Sequence, residues 1–194
     1  SQFQNAPFGM PDGLLESWDN ELARTGGRVI IERIRFMRMF DRYLAEAYAT
    51  MAHAVEQPTI TYQTAIDTEE VSDEADSISA FAERIAERQT RDRDTGRTGE
   101  GPHRDELVFK LNDMDVRRYA SQGQHRTFGM ALKLAQFFYL RDRLDETPVL
   151  LLDDIFDHLD PSRTAAVIDL LASERVGQSI ITGTRASLFE DRLD

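Results

Sequence analysis

The stretch Val149-Leu-Leu-Leu-Asp-Asp-Ile-Phe-Asp-His-Leu-Asp160 decides the fold. Val149 to Leu152 is a continuous apolar run, as in a strand buried on both faces. It ends in two acids, which places carboxylates at the carboxyl edge of a sheet, where ligands sit in open α/β folds. Adjacent acids at a strand end point in different directions. One can hold a divalent cation such as Mg2+, directly or through water, and the other can orient an attacking water. A plain strand end with a polar loop reads the same residues equally well.

Downstream, Asp160-Pro161 is a helix cap followed by proline at the first helical position, and the helix runs to about Ser173. Gly177-Gln-Ser-Ile-Ile-Thr182 is another buried strand. Upstream, Phe128, Leu132, Ala135 and Tyr139 recur at helical spacing within a helix over 122–142. Helix, strand, helix, strand with short connections implies parallel pairing in an α/β domain.

The upstream helix opens with Ser121-Gln-Gly-Gln124. Ser121 stands where a cap belongs, and Gly123 lets the backbone approach a ligand closely. Gln122, Gln124 and the first N–H groups would then face outward at a helix N-terminus, an anion site. A simple helix cap is the other reading, and in isolation the commoner one.

The first half has a different texture. Residues 13–54 read as helix, with Leu14, Leu15, Trp18 and Leu22, then Ile30, Ile34 and Met37, at helical spacing; Gly26-Gly27 is expected to kink or split it. Arg28, Arg35, Arg38 and Arg42 fall on one face. A solvated face among acids such as Glu32 and Asp41 explains them, and a phosphate-contacting stripe for DNA is the sharper alternative. Thr59 to Ile66 alternates as a strand, Asp67 to Asp76 reads as an exposed acidic linker, and 77–90 as a helix burying Ile78, Phe81 and Ile85. Arg91 to Pro102 is a charged, glycine-rich loop, with a subdomain boundary at 95–102. Glu106 to Leu111 is a strand, Asn112-Asp113 a turn and Val116 to Tyr119 a second strand.

Composition sets limits on function. The 194 residues are 41% hydrophobic and 30% charged, enough for one large domain or two small ones. The absence of cysteine excludes disulfides and thiolate metal sites, and His53, His103, His125 and His158 are scattered, so no metal cluster is indicated. No apolar run reaches the ~20 residues that cross a bilayer, and no signal peptide is visible, so the expected location is cytoplasmic. A net charge of −12 argues against a uniformly basic nucleic-acid binder. Lys110 and Lys133 are the only lysines among 23 Lys+Arg, so the acidity reads as habitat in a salt-loving organism. The chain opens Ser-Gln-Phe, as a fragment would.

Taken together, the capped Gln-Gly turn, the long helix and the acid-ended strand resemble the C-terminal half of an ABC-type ATPase. Ser121-Gln-Gly-Gln124 stands as the signature motif, Val149–Asp153 as the Walker B strand, Asp154 at the catalytic position and Leu159-Asp160 as the D-loop. Gly101-Pro-His-Arg-Asp-Glu-Leu107, Tyr119-Ala-Ser-Gln-Gly-Gln124, Ala131-Leu-Lys-Leu-Ala135 and Leu150–Asp160 together resemble the RecF family, and Ser17-Trp-Asp-Asn-Glu-Leu-Ala23 looks like the start of its helical arm. The resemblance implies an α/β fold: the C-terminal part of a P-loop ABC-type ATPase domain over 101–194, plus a mostly helical arm over 1–100. It also implies a DNA repair protein that binds single- and double-stranded DNA, uses ATP and Mg2+, forms a homodimer around ATP, and helps RecO- and RecR-like mediators load RecA at gaps. Ser121 and the N–H groups of 123–124 would meet the partner's γ-phosphate; Asp153 would serve Mg2+, Asp154 would position water and Asp160 would line the dimer interface. Thr184 lies near where ABC proteins keep a switch histidine.

The chain departs from the family in having no G-x-x-x-x-G-K-[ST] stretch, so it should not hydrolyse ATP alone. His125 and Glu106 replace an expected glutamine and aspartate. Another chromosome-associated ABC ATPase would carry a longer coiled coil. A transporter subunit would carry Ser-Gly-Gly and Asp-Glu-Pro, which are absent. A non-enzymatic helical interaction module is the remaining alternative.

Overall fold

The structure is a computed structural model, and it describes residues 12–51, 56–144 and 146–183. In chain order it contains helix α1 (Asp12–Met51), strand β1 (Pro58–Gln63), α2 (Glu74–Thr95), β2 (Glu106–Leu111), β3 (Met114–Asp115), the short α3 (Val116–Tyr119), α4 (Gln122–Leu144), β4 (Leu150–Leu152), a 3₁₀ turn (Ile155–His158), α5 (Pro161–Leu171) and β5 (Ser179–Ile181). Strands β1, β2 and β3 form one sheet in that order, with β2 and β3 antiparallel; β4 and β5 pair in parallel, Leu152 beside Ile181. The mixture of helix and strand is the expected α/β class. The contacts divide the chain into two compact units. One comprises residues 1–37 and 61–108, the other residues 38–60 and 109–194.

The first unit packs α1 on α2. Ala23, Ile30, Ile34, Tyr62, Phe81 and Ile85 are its core. Helix α1 runs unbroken through Gly26-Gly27, against the expected kink or split. The pair marks close approach instead. A Cβ on Gly26 would lie 2.4 Å from the Phe81 ring, and one on Gly27 would lie 2.7 Å from Ile78 Cα. Ser77, fully buried, donates its hydroxyl to the Gly27 carbonyl at 2.8 Å.

Helix α2 is longer at both ends than its apolar spacing implies. Asp73 caps it by accepting from Asp76 N–H, so Glu74 and Asp76 of the expected linker form its first turn, where acids oppose the helix dipole. It continues through the expected loop to Thr95 and stops at Gly96, which takes the left-handed conformation (φ 63°). Alternating Arg and Asp suit a solvated helix as well as a loop, so the stop signal lies in the glycine.

The second unit is built around α4. Phe128, Ala131, Leu134, Ala135 and Phe138 are buried, together with Leu44, Ala47, Tyr48 and Met51 of α1. Phe128 meets Tyr48 and Phe109 edge-on, at 6.1 and 5.6 Å between ring centroids. The turn at Asn112-Asp113 forms as expected, both residues at positive φ. Val116 to Tyr119 is a helical turn, not a strand, because Asp115 caps it by accepting from Arg118 N–H. In β4, Leu150 and Leu152 are buried but Leu151 is 66% exposed; burial on both faces is not seen among the described residues.

Candidate functional site

Ser121 and Gln124 satisfy each other. The Gln124 N–H donates to Ser121 Oγ at 3.2 Å, and Gln124 Oε1 accepts from Ser121 N–H at 2.8 Å. This reciprocal cap follows from the Ser-x-x-Gln spacing. It takes up the Gln124 N–H expected for the anion and leaves the first-turn N–H groups of Gln122 and Gly123 at the open end of α4, beside an exposed Gln122. The Ser121 hydroxyl accepts in the cap, so its own proton is free to go to an anion.

Gln124 does not project outward freely. Its Nε2 donates to Glu56 Oε1 at 2.8 Å, and Tyr48 donates its hydroxyl to Glu56 Oε2 at 2.6 Å. The Tyr48 bond holds the Glu56 carboxyl below its ordinary range against the opposing effect of burial, with Gln124 and the charge of Arg163 acting in the same direction. Burial and the adjacent carboxylate push the Tyr48 hydroxyl up. Arg163 of α5 closes the group from the other side: a Cβ on Gly123 would stand 3.3 Å from its Nη1. Tyr48, Glu56 and Arg163 carry no motif of their own. Only the i, i+3 spacing of Asp160 and Arg163 could have pointed to one of them.

At the carboxyl end of β4, Asp153 accepts a hydrogen bond from the Thr182 hydroxyl. The Asp154 N–H donates to Thr182 O and Oγ1, both at 3.2 Å. Parallel pairing creates this arrangement, because the partner of Leu152 is Ile181 and the next residue along is Thr182. Thr182 was missed in the sequence because its role depends on that register. Asp154 takes φ 51°, ψ 35°, a left-handed conformation that Asp tolerates better than most residues. Its side chain makes no capping bond to the 3₁₀ turn, and both carboxylates are exposed.

Asp160 caps α5 by accepting from Ser162 and Arg163 N–H, both at 3.0 Å, and Arg163 Nε approaches it at 3.4 Å. The Arg163 backbone bond is the leading reason its carboxyl is held below the ordinary range, although burial opposes it. Asp153, Asp154, Asp160 and the Ser121–Gln124 turn all belong to one compact unit. Thr184 lies outside the described residues. Of the arginine stripe, Arg28 pairs with Glu74 at 3.1 Å and Arg35 with Glu32 at 2.7 Å, while Arg38 and Arg42 are exposed. Among the described residues no group of three or more His, Asp or Glu forms a metal site, and no helix is long and apolar enough to cross a membrane.

No family model matches the chain. Curated relatives do. The chain is 48% identical to the DNA replication and repair protein RecF of Salinibacter ruber over 184 residues, which cover 95% of this chain and 45% of the relative. It is 39% identical to RecF of Chloroherpeton thalassium over 192 residues, covering 98% of this chain and 52% of the relative. It therefore spans about half the length of the relatives it matches. A solved structure described as the recombination mediator protein RecF-ATP in the RecFOR pathway superposes with a TM-score of 0.78 at 30% identity, covering 92% of this chain and 48% of that one. The corresponding RecF-ATPrS structure gives 0.76 at the same identity, covering 92% of this chain and 47% of that one. By sequence and by fold, the chain belongs with the RecF proteins and corresponds to part of their length.

Proposed function

We propose that the chain is the signature-bearing segment of a RecF-type DNA replication and repair ATPase. The observation that carries this reading is the end of β4: two exposed carboxylates, Asp153 steadied by the Thr182 hydroxyl and Asp154 in a left-handed backbone conformation with its side chain making no capping bond. An exposed oxygen donor with a hydroxyl behind it fits Mg2+, which is commonly held by one or two carboxylates plus substrate phosphates. Bound there with ATP, Mg2+ would supply charge neutralisation at the phosphate oxygens. Asp153 would hold the ion. Asp154 would accept a hydrogen bond from the attacking water and align it.

The signature turn acts from a second subunit in this reading. Ser121 donates its hydroxyl proton, and Gln122 and Gly123 their N–H groups, to the γ-phosphate held by the partner. The Gln124–Glu56–Tyr48 chain fixes the turn, so these donors need no rearrangement when the phosphate arrives. Asp160 and its α5 cap would lie along the same dimer contact. ATP would thereby favour a homodimer that encloses single- or double-stranded DNA, working in the cytoplasm with RecO- and RecR-like mediators to load RecA. The 194 residues contain no G-x-x-x-x-G-K-[ST] stretch, so ATP binding is assigned to the longer protein.

The test is Asp154→Asn in full-length RecF carrying this segment. The amide keeps the shape and the tolerance for a left-handed backbone but cannot take a proton. Hydrolysis should fall about 10²-fold or more, with ATP affinity unchanged. Unchanged turnover would remove Asp154 from the reaction.

A further inference from the structure

The end of α2 and the loop after it enclose a surface pocket of about 490 Å³, in the unit that does not contain the signature turn. Arg88, Arg91, Arg97 and Arg104 line it, with Asp92 as the carboxylate in its wall. In a chain of net charge −12, four arginines around one opening form a local field opposite to the global one.

The internal pairing leaves most of that charge available. Asp92 Oδ2 accepts from the Gly99 N–H at 2.8 Å, so part of the carboxylate is engaged in holding the loop. Glu100 pairs with Arg88 at 2.7 Å and Arg84 at 3.1 Å. Among the described residues Arg91, Arg97 and Arg104 have no carboxylate partner, and the buried Nε of Arg88 finds no acceptor. Neutralising the C-terminal dipole of α2 would call for a cation in its last turn, a place that Arg93 fills.

The loop is shaped for close approach. Gly96 turns at φ 63°, and a Cβ on Gly99 would stand 2.8 Å from Asp92 Oδ1 and 3.0 Å from Arg88 Nη2. Among the described residues no aromatic side chain lines the pocket, so the ring platform on which single-strand binders stack bases is missing. Forked guanidiniums around an opening without rings match a tetrahedral anion.

We propose that this pocket binds a phosphate group of a nucleic-acid backbone, a contact that positions the strand without reading its sequence. The proposal rests on the DNA-repair reading but uses none of the nucleotide-site residues.

The experiment is an NMR titration of the isotope-labelled 194-residue chain at low salt, with a single-stranded oligonucleotide and, separately, with inorganic phosphate. The expected result is movement of the Gly96, Gly99 and Gly101 amides at oligonucleotide concentrations at least tenfold below those of phosphate. The triple variant Arg91→Gln/Arg97→Gln/Arg104→Gln removes side chains that pair with no carboxylate among the described residues. It should abolish the movement while leaving the remaining spectrum in place. The log–log salt slope for the oligonucleotide should fall by about 0.7, the value for one lost single-strand phosphate contact. Equal apparent affinity for phosphate and oligonucleotide would overturn the backbone assignment. Movement confined to α1 would overturn the pocket while leaving DNA binding intact, and no movement with either probe would overturn it outright. A nucleotide site that fails its own test leaves these amide readouts unaffected.

Discussion

Gly27 shows how much one missing atom determines. A methyl there would stand 2.7 Å from backbone Cα and 2.9 Å from backbone N of Ile78, neither of which can rotate away. Gly27→Ala adds about 1 kcal/mol of helix propensity but meets an overpacking cost near the top of the usual 1–3 kcal/mol. The expected net loss is about 1–2 kcal/mol, read as a lower urea midpoint with unchanged slope; a gain in stability would show that the helices separate at no cost. At this scale the sequence was a partial guide. Ser121, Asp153, Asp154 and Asp160 stand out because cap and strand-end chemistry is local. Glu56, Tyr48 and Thr182 do not, because their roles arise from long-range neighbours. Glycine was misread for the same reason: a Gly-Gly pair inside a helix is ambiguous until the packed partner, here Ser77-Ile78 of α2, is known.

Between elements, α1, β1 and the residues before β2 are joined in the first unit by one buried carboxylate. Asp105, 3% exposed at its side chain, accepts from Arg33 at 2.9 Å and from the Tyr62 hydroxyl. Burial, followed by the Asp105 bond, pushes the Tyr62 hydroxyl up to about 12 from its ordinary value near 10. A raised folded-state value means the fold favours the protonated phenol. The stabilisation is therefore complete below pH ~10 and is lost as pH rises through about 12. Thermal unfolding followed across pH 9–12 should show a falling Tm, with a shallower fall in Tyr62→Phe; parallel curves would dissociate Tyr62 from the alkaline loss. Element types were mostly legible, since amphipathic spacing in α1, α2 and α4 and alternation in β1 and β2 are local patterns. Ends were not. Alternating Arg and Asp at 91–94 serve helix and loop alike, and Val116 to Tyr119 turns on a single cap at Asp115. The partition into units follows contacts along α1, β1 and β2, which each carry residues of both, rather than the change in composition near residue 100.

For the whole molecule, charge is the first quantity. With a net −12, added KCl should screen self-repulsion, so Tm should rise with salt. A flat or falling curve would show that ion pairs such as Arg88–Glu100 outweigh the repulsion and would remove the reading of acidity as habitat. The exposed apolar residues Leu151 and Ile180 of β4 and β5 belong to the same scale, since the chain spans about half of its RecF relatives. The central claim concerns that longer protein: the capped Ser121 turn contacts nucleotide held by a second subunit. The most direct measurement is ATP-dependent dimerisation of full-length RecF carrying this segment, by light scattering, with and without Ser121→Arg. The account predicts that the variant monomer still binds ATP and no longer dimerises. A dimer indifferent both to ATP and to the substitution would contradict it and leave Ser121 as a helix cap alone.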